Sequence, residues 1–150
     1  SKDIHFFEDL EFNYRILSNA KKVSRCMSNL YNYRYSETSI NSQAINYKKL
    51  SCLKLIDSLV EDINRNNTEL KETSKYFVSH CLLSMILSVS KSREINNEFY
   101  SIINKYCVTY MNKIIGAKYI PLNQKLIIFM YRVSPRAVAK SIFFIKYRNK

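Results

Sequence analysis

From Ile45 to Asn67 the chain reads INYKKLSCLKLIDSLVEDINRNN. Ile45, Cys52, Ile56, Leu59 and Ile63 recur at helical spacing and keep one apolar stripe along the whole stretch. Asn66-Asn67 supplies the stop. A helix this long must bury its stripe against other elements, so the segments after it decide the architecture. Thr68, with Lys71-Glu72 close behind, opens a second helix that runs to about Ser90 through Tyr76, Phe77, Leu83 and Leu87. A third carries Ile95, Phe99, Ile102, Tyr106 and Tyr110 and ends near Gly116. Leu122 to Tyr131 forms a short fourth. Ser134-Pro135 pairs an N-cap with proline at the first helical position and opens a fifth, with Val138, Ile142 and Ile145 as its stripe. His80 falls inside the second helix and reads as a packing residue.

Composition agrees with helices. The chain has 150 residues, of which 47% are apolar and 13% aromatic, enough for a core and too many for disorder. One Gly and two Pro are few for strands joined by tight turns. The four cysteines, Cys26, Cys52, Cys81 and Cys107, lie 26, 29 and 26 residues apart, which fits neither a zinc knuckle nor a redox CxxC. They read as reduced thiols packed as small apolar side chains in a cytoplasmic protein. No apolar run reaches the length of a membrane span.

Upstream of the bundle the pattern changes. Residues 6–20 form a short helix with Leu10, Tyr14 and Leu17 on one face. From Lys21 to Tyr35 the apolar residues alternate: Val23 and Met27 first, then Tyr31, Tyr33 and Tyr35. That period predicts one or two short β-strands around Ser28-Asn29. Residues 36–42 are a polar loop. The fold class is therefore mainly α: a short helix plus one or two strands at the N-terminus, then a bundle of four or five helices. The division falls at residues 1–42 and 43–150.

The first 42 residues carry the chemistry. Phe7-Glu8-Asp9-Leu10-Glu11-Phe12 precedes the helix, Ala20-Lys21-Lys22-Val23 comes after it, and Leu30-Tyr31-Asn32-Tyr33-Arg34 leads to Ser39-Ile40. This ordered set resembles the segment of family-2 glycosyltransferases, enzymes of the type-A fold, in which an acidic pair opens a helix, a strand comes next, and Tyr-x-Tyr-Arg leads into a Ser-containing loop. The resemblance covers residues 5–42. It implies the acceptor-side end of a catalytic domain that transfers sugar from a nucleotide-sugar donor to a saccharide or lipid-linked acceptor, as in bacterial polysaccharide biosynthesis. By the same resemblance Asp9 is the general base and Glu8 orients neighbouring groups or contacts the acceptor. Arg34 and Ser39 are candidates to approach the nucleotide diphosphate, where a guanidinium and a hydroxyl meet phosphate oxygens. The competing readings are structural. Asp9 would only cap its helix, with Glu8 favoured there by the helix dipole. Arg34 would be a solvated strand-edge charge, and His5 a surface residue. The three tyrosines would form one packed strand face rather than a sugar-stacking platform.

The family's donor half ends in a metal-binding Asp-x-Asp, and no such motif occurs here. The resemblance therefore implies that this chain has no cofactor of its own. A divalent ion, manganese or magnesium, would belong to the full-length enzyme, and the chain alone should not transfer sugar. Asp57, Glu61 and Asp62 share a helix but, among basic neighbours, read as a solvated face.

Charge separates the two ends of the sequence. Residues 99–150 carry ten Lys/Arg and no acid, whereas residues 1–98 carry fourteen Lys/Arg against twelve Asp/Glu. A one-signed segment points to an anionic partner. Its cations alternate with apolar anchors: Lys113 and Lys118 with Ile114-Ile115, Lys125 and Arg132 with residues 126–130, and Lys140, Lys146 and Arg148 with residues 142–145. That arrangement suits an anionic membrane surface at the inner face of the membrane, or simply the basic outside of a bundle. Nucleic acid is disfavoured, because no DNA- or RNA-binding signature appears and the cations do not cluster at a helix start. The alternative to an enzyme is a helical interaction module that binds anionic membrane or another protein, or itself as a homo-oligomer.

Overall fold

The computed structural model describes residues 6–24, 26–28, 36, 39–40, 42–91 and 96–146. Six helices occur among them: α1 (Glu8–Asn19), α2 (Tyr47–Asn66), α3 (Lys71–Val89), α4 (Asn97–Ile115), α5 (Leu122–Val133) and α6 (Pro135–Lys146). A single 3-10 turn, Thr68–Leu70, joins α2 to α3.

Local causes set several of the helix ends. Asn46 caps α2 by accepting the Lys49 N–H at 2.9 Å, and Asn96 caps α4 by accepting that of Glu98 at 3.0 Å. Pro135 takes the first position of α6, where its missing N–H costs nothing. At the far end of α4 the Lys125 ammonium donates to the carbonyls of Ile115 (2.8 Å) and Ala117 (2.6 Å), which lie at and just past the last turn.

α3 is the centre of the bundle and packs against α2, α4, α5 and α6. Its Val78, Cys81, Leu82, Met85, Ile86 and Val89 are all buried, as are Cys52 and Ile56 of α2, Ile103, Cys107 and Ile114 of α4, and Ile128 and Tyr131 of α5. Cys26 is an exposed free thiol; the other three cysteines are free and buried, where loss of hydration pushes Cys52 and Cys107 up to about 12 and raises Cys81 further. α1 lies on α2, and Phe6 just before it enters the main core.

Five helices come after the N-terminal segment, as the periodicity predicts, but the predicted strands are not seen among the described residues. Residues 21–24 and 26–28 join no ladder there, and Val23 and Met27 are 72% and 79% exposed, so their alternation has no face to bury. A lone two-stranded ribbon is marginal without a sheet or helix to pack on. Residues 31–35 lie outside the described residues, as do Ile95 and Arg148. Three helix faces also differ from the expected ones. α3 buries Val78, Cys81, Leu82 and Met85 rather than Tyr76, Phe77, Leu83 and Leu87, Leu17 of α1 is exposed, and Ile145 of α6 is 86% exposed. His80 is exposed and sits at the edge of the bundle, its ring 5.8 Å from that of Phe7.

Candidate functional site

α1 begins on two aromatic residues. Phe6 is buried, its ring 4.4 Å from that of Phe7, and it anchors the chain immediately before the acidic pair. Phe7 is the helix cap and has φ 64° and ψ 26°, a left-handed conformation that is rare and costly for a bulky residue. Its carbonyl accepts the N–H groups of Leu10 (3.1 Å) and Glu11 (3.3 Å).

Among the described residues no side chain caps α1, and its N-cap position is Phe7, not Asp9. Asp9 stands one residue inside the helix, where its Oδ1 accepts the adjacent Leu10 N–H at 2.8 Å. Glu8, Asp9 and Glu11 all occupy the first turn, where the helix dipole favours acids. Glu8 and Asp9 are both exposed, and neither forms a salt bridge among the described residues. They open onto a surface cleft of about 510 Å³, completed by Glu11, Phe12 and Arg15.

Glu11 and Arg15 line this cleft as an ion pair. Glu11 is buried and accepts from Arg15 Nη2 at 2.5 Å, one helical turn on. The Arg15 side chain is itself mostly exposed and keeps further N–H groups toward solvent. Behind it a second cavity of about 320 Å³ separates α1 from α2, lined by Glu11, Tyr14, Arg15, Leu55, Leu59 and Asp62 among others. There the Tyr14 hydroxyl donates to Asp62 Oδ2 at 2.5 Å and accepts from Asn67 Nδ2 at 2.9 Å. Burial and the Asp62 carboxylate raise the Tyr14 pKa, while the Tyr14 and Asn66 hydrogen bonds hold Asp62 below its ordinary value. These bonds fix α1, and with it the acidic pair, against α2.

The acids of α2 are thus not a plain solvated face. Asp62 ties down Tyr14, and Asp57 accepts from the hydroxyls of Tyr106 (2.5 Å) and Tyr110 (3.1 Å) on α4. Glu61 pairs within its own helix, with Arg65 at 2.5 Å.

Ser39 stands elsewhere. It is held in a turn in which its Oγ lies 3.0 Å from Ser42 Oγ and its carbonyl accepts the N–H groups of Ser42 and Gln43. It lines neither cavity and makes no hydrogen bond to Glu8 or Asp9. Arg34 and His5 lie outside the described residues. Among the described residues the cation that lines the cleft with the acidic pair is Arg15, which the resemblance does not single out although its spacing from Glu11 is the ordinary signal for a helical ion pair.

Among the described residues no three His, Cys, Asp or Glu side chains converge to hold an ion. None of the described helices is long and apolar enough to cross a membrane. Comparison with family models, curated proteins and solved structures returns no match.

Proposed function

We propose that this chain is the acceptor-side end and C-terminal helical part of a nucleotide-sugar-dependent glycosyltransferase, with Asp9 as its general base. One observation supports the reading most. The Glu8–Asp9 pair follows the buried Phe6 on a helix bonded to α2, yet both side chains line an open cleft, and among the described residues neither is consumed by a salt bridge or a cap. A base needs that combination of a positioned backbone and an accessible carboxylate oxygen. The ordered resemblance over residues 5–42 supplies the reaction class.

In such a transfer the acceptor hydroxyl oxygen bonds to the anomeric carbon as that carbon's bond to the diphosphate oxygen breaks. The nucleoside diphosphate leaves with the bonding electrons. The hydroxyl proton passes to the Asp9 carboxylate, and the new glycosidic bond has inverted configuration. Glu8, on the same rim, orients the acceptor. Arg15 keeps a cation at the cleft edge. Arg34 and Ser39 remain the candidates for the diphosphate, with Ser39 needing its turn to approach the cleft. On this reading the uncovered apolar side chains of the N-terminal segment, Phe12 and Ile16 on one face of α1 and Val23 and Met27 beyond it, are the surface on which the rest of the catalytic domain packs.

The test is product release. The enzyme carrying this segment, given a panel of UDP- and GDP-sugars, saccharide and lipid-linked acceptors and manganese or magnesium, releases nucleoside diphosphate and forms an inverted glycoside. No release with any donor, from protein that is folded, contradicts the proposal.

A further inference from the structure

α5 is apolar on two sides. Ile128 and Tyr131 face the core, fully buried. Leu122, Leu126, Phe129, Met130 and Val133 are all exposed, and they recur at i, i+4, i+7, i+8 and i+11, which makes one continuous stripe on the outward face. A helix that needs only a core has no use for such a stripe. Arg132 borders it three residues beyond Phe129, and the exposed Lys118 and Tyr119 lie in the turn just before α5. The next helix, which packs on α5, repeats the pairing on a smaller scale: Phe144 and Ile145 are exposed, with the exposed Lys140 one turn before Phe144.

We infer that the outward face of α5, with the end of α6, is a docking surface for an anionic lipid membrane. Charge decides the occupant. The whole segment from residue 99 onward carries ten Lys/Arg and no acid. A second copy of the chain would bring the same positive segment against itself and be repelled. A nucleic acid would match the charge but leave the aliphatic stripe in water. A bilayer with anionic headgroups meets both: acyl chains take Leu122, Phe129 and Met130 while Lys118, Arg132 and Lys140 stay at the phosphate level. Not every cation takes part. Lys125 is held on the carbonyls of Ile115 and Ala117, and Arg136 donates to Asn97 Oδ1 at 2.6 Å. Membrane docking stands apart from the glycosyl-transfer proposal, and either can fail without the other.

Vesicle co-sedimentation of the 150-residue chain tests it, with phosphatidylcholine alone and with phosphatidylglycerol added. The chain should pellet with the anionic vesicles at low salt and be progressively released as salt rises, since screening shortens the reach of exposed charges to about 8 Å at physiological ionic strength. Replacing Lys118, Arg132 and Lys140 by Gln should weaken binding roughly tenfold or more. Leu122→Ser with Val133→Ser, at positions 71% and 72% exposed, should also weaken it while leaving the helical circular dichroism unchanged. The chain contains no tryptophan, so Met130→Trp gives a single reporter whose emission should shift to the blue on anionic vesicles. Equal recovery in the supernatant with both vesicle types overturns the inference. So does binding that neither the serine variants nor the indole emission of Met130→Trp registers, which would be adsorption by charge alone. A dimer that the serine variants dissociate, without vesicle binding, overturns it as well.

Discussion

Lys49 is fully buried in the core and has no carboxylate partner among the described residues. Its ammonium donates to the Gln43 carbonyl at 2.5 Å and Ser88 Oγ at 3.1 Å, and lies 5.4 Å from the centre of the Phe6 ring. Burial, with the Lys91 charge second, lowers its pKa to about 8. A lysine with a depressed native pKa penalises folding wherever it is charged in both states. That penalty is complete below about 8 and is relieved as pH rises toward the unfolded value of about 10.4. Lys49→Met, which fills similar space without a charge, should therefore stabilise the protein at pH 7 by about 1–3 kcal/mol. The gain should shrink between pH 8 and 10. Urea denaturation of both chains across that range checks it, and the buried thiols and tyrosines, which titrate there only once unfolded, cancel in the difference. A variant destabilised equally at every pH would mean that the two hydrogen bonds outweigh the desolvation. None of this could be read from the sequence, where Lys48-Lys49 looks like any polar patch ahead of an apolar stripe. Only the packing of Phe6 and Ser88 around one of the two distinguishes them. The same holds for Tyr14 and Asp62, whose bond spans 48 residues. The place of Glu8 and Asp9 in the first turn of α1 was legible because it depends only on where a local helix begins.

The predicted stripe of α2 was legible, and those of α3 and α6 were not. In α2 the residues Cys52, Ile56, Leu59 and Ile63 are all buried, and the predicted stop at Asn66-Asn67 is where the helix ends. α3 lies between four other helices, so apolar residues occur all round it and periodicity cannot select the core face. In α6 the predicted stripe leaves the bundle before its end, and Ile145 is solvent-facing. The contrast is measurable. Ile86→Ala in α3 empties a fully buried site and should cost about 2–5 kcal/mol. Ile145→Ala should change stability by less than about 0.5 kcal/mol. Chemical denaturation of the two variants decides it: comparable losses would mean that Ile145 is core after all. The strands failed for a related reason. Alternation over residues 21–28 is a local signal, but a strand exists only with a partner, and no described residue supplies one.

At the scale of the whole molecule, α1 carries the acidic pair on a bundle that holds it from behind through Phe6, Tyr14 and Asp62, and leaves it open in front. The opposite end of the sequence presents cations and an apolar stripe together. An enzyme acting on a lipid-linked acceptor would have use for both. The general-base role proposed for Asp9 is tested most simply by Asp9→Asn in the protein that carries this segment, with turnover and stability measured on the same protein. The amide keeps the shape and can still accept the Leu10 N–H, but it cannot take the acceptor's proton. Turnover should fall by about 10²–10⁴-fold, the usual contribution of a general base, with donor affinity unchanged. Stability should move by no more than about 1 kcal/mol, the worth of one first-turn acid. Near-normal turnover with that same small loss of stability would make Asp9 a helix-dipole residue and not a base.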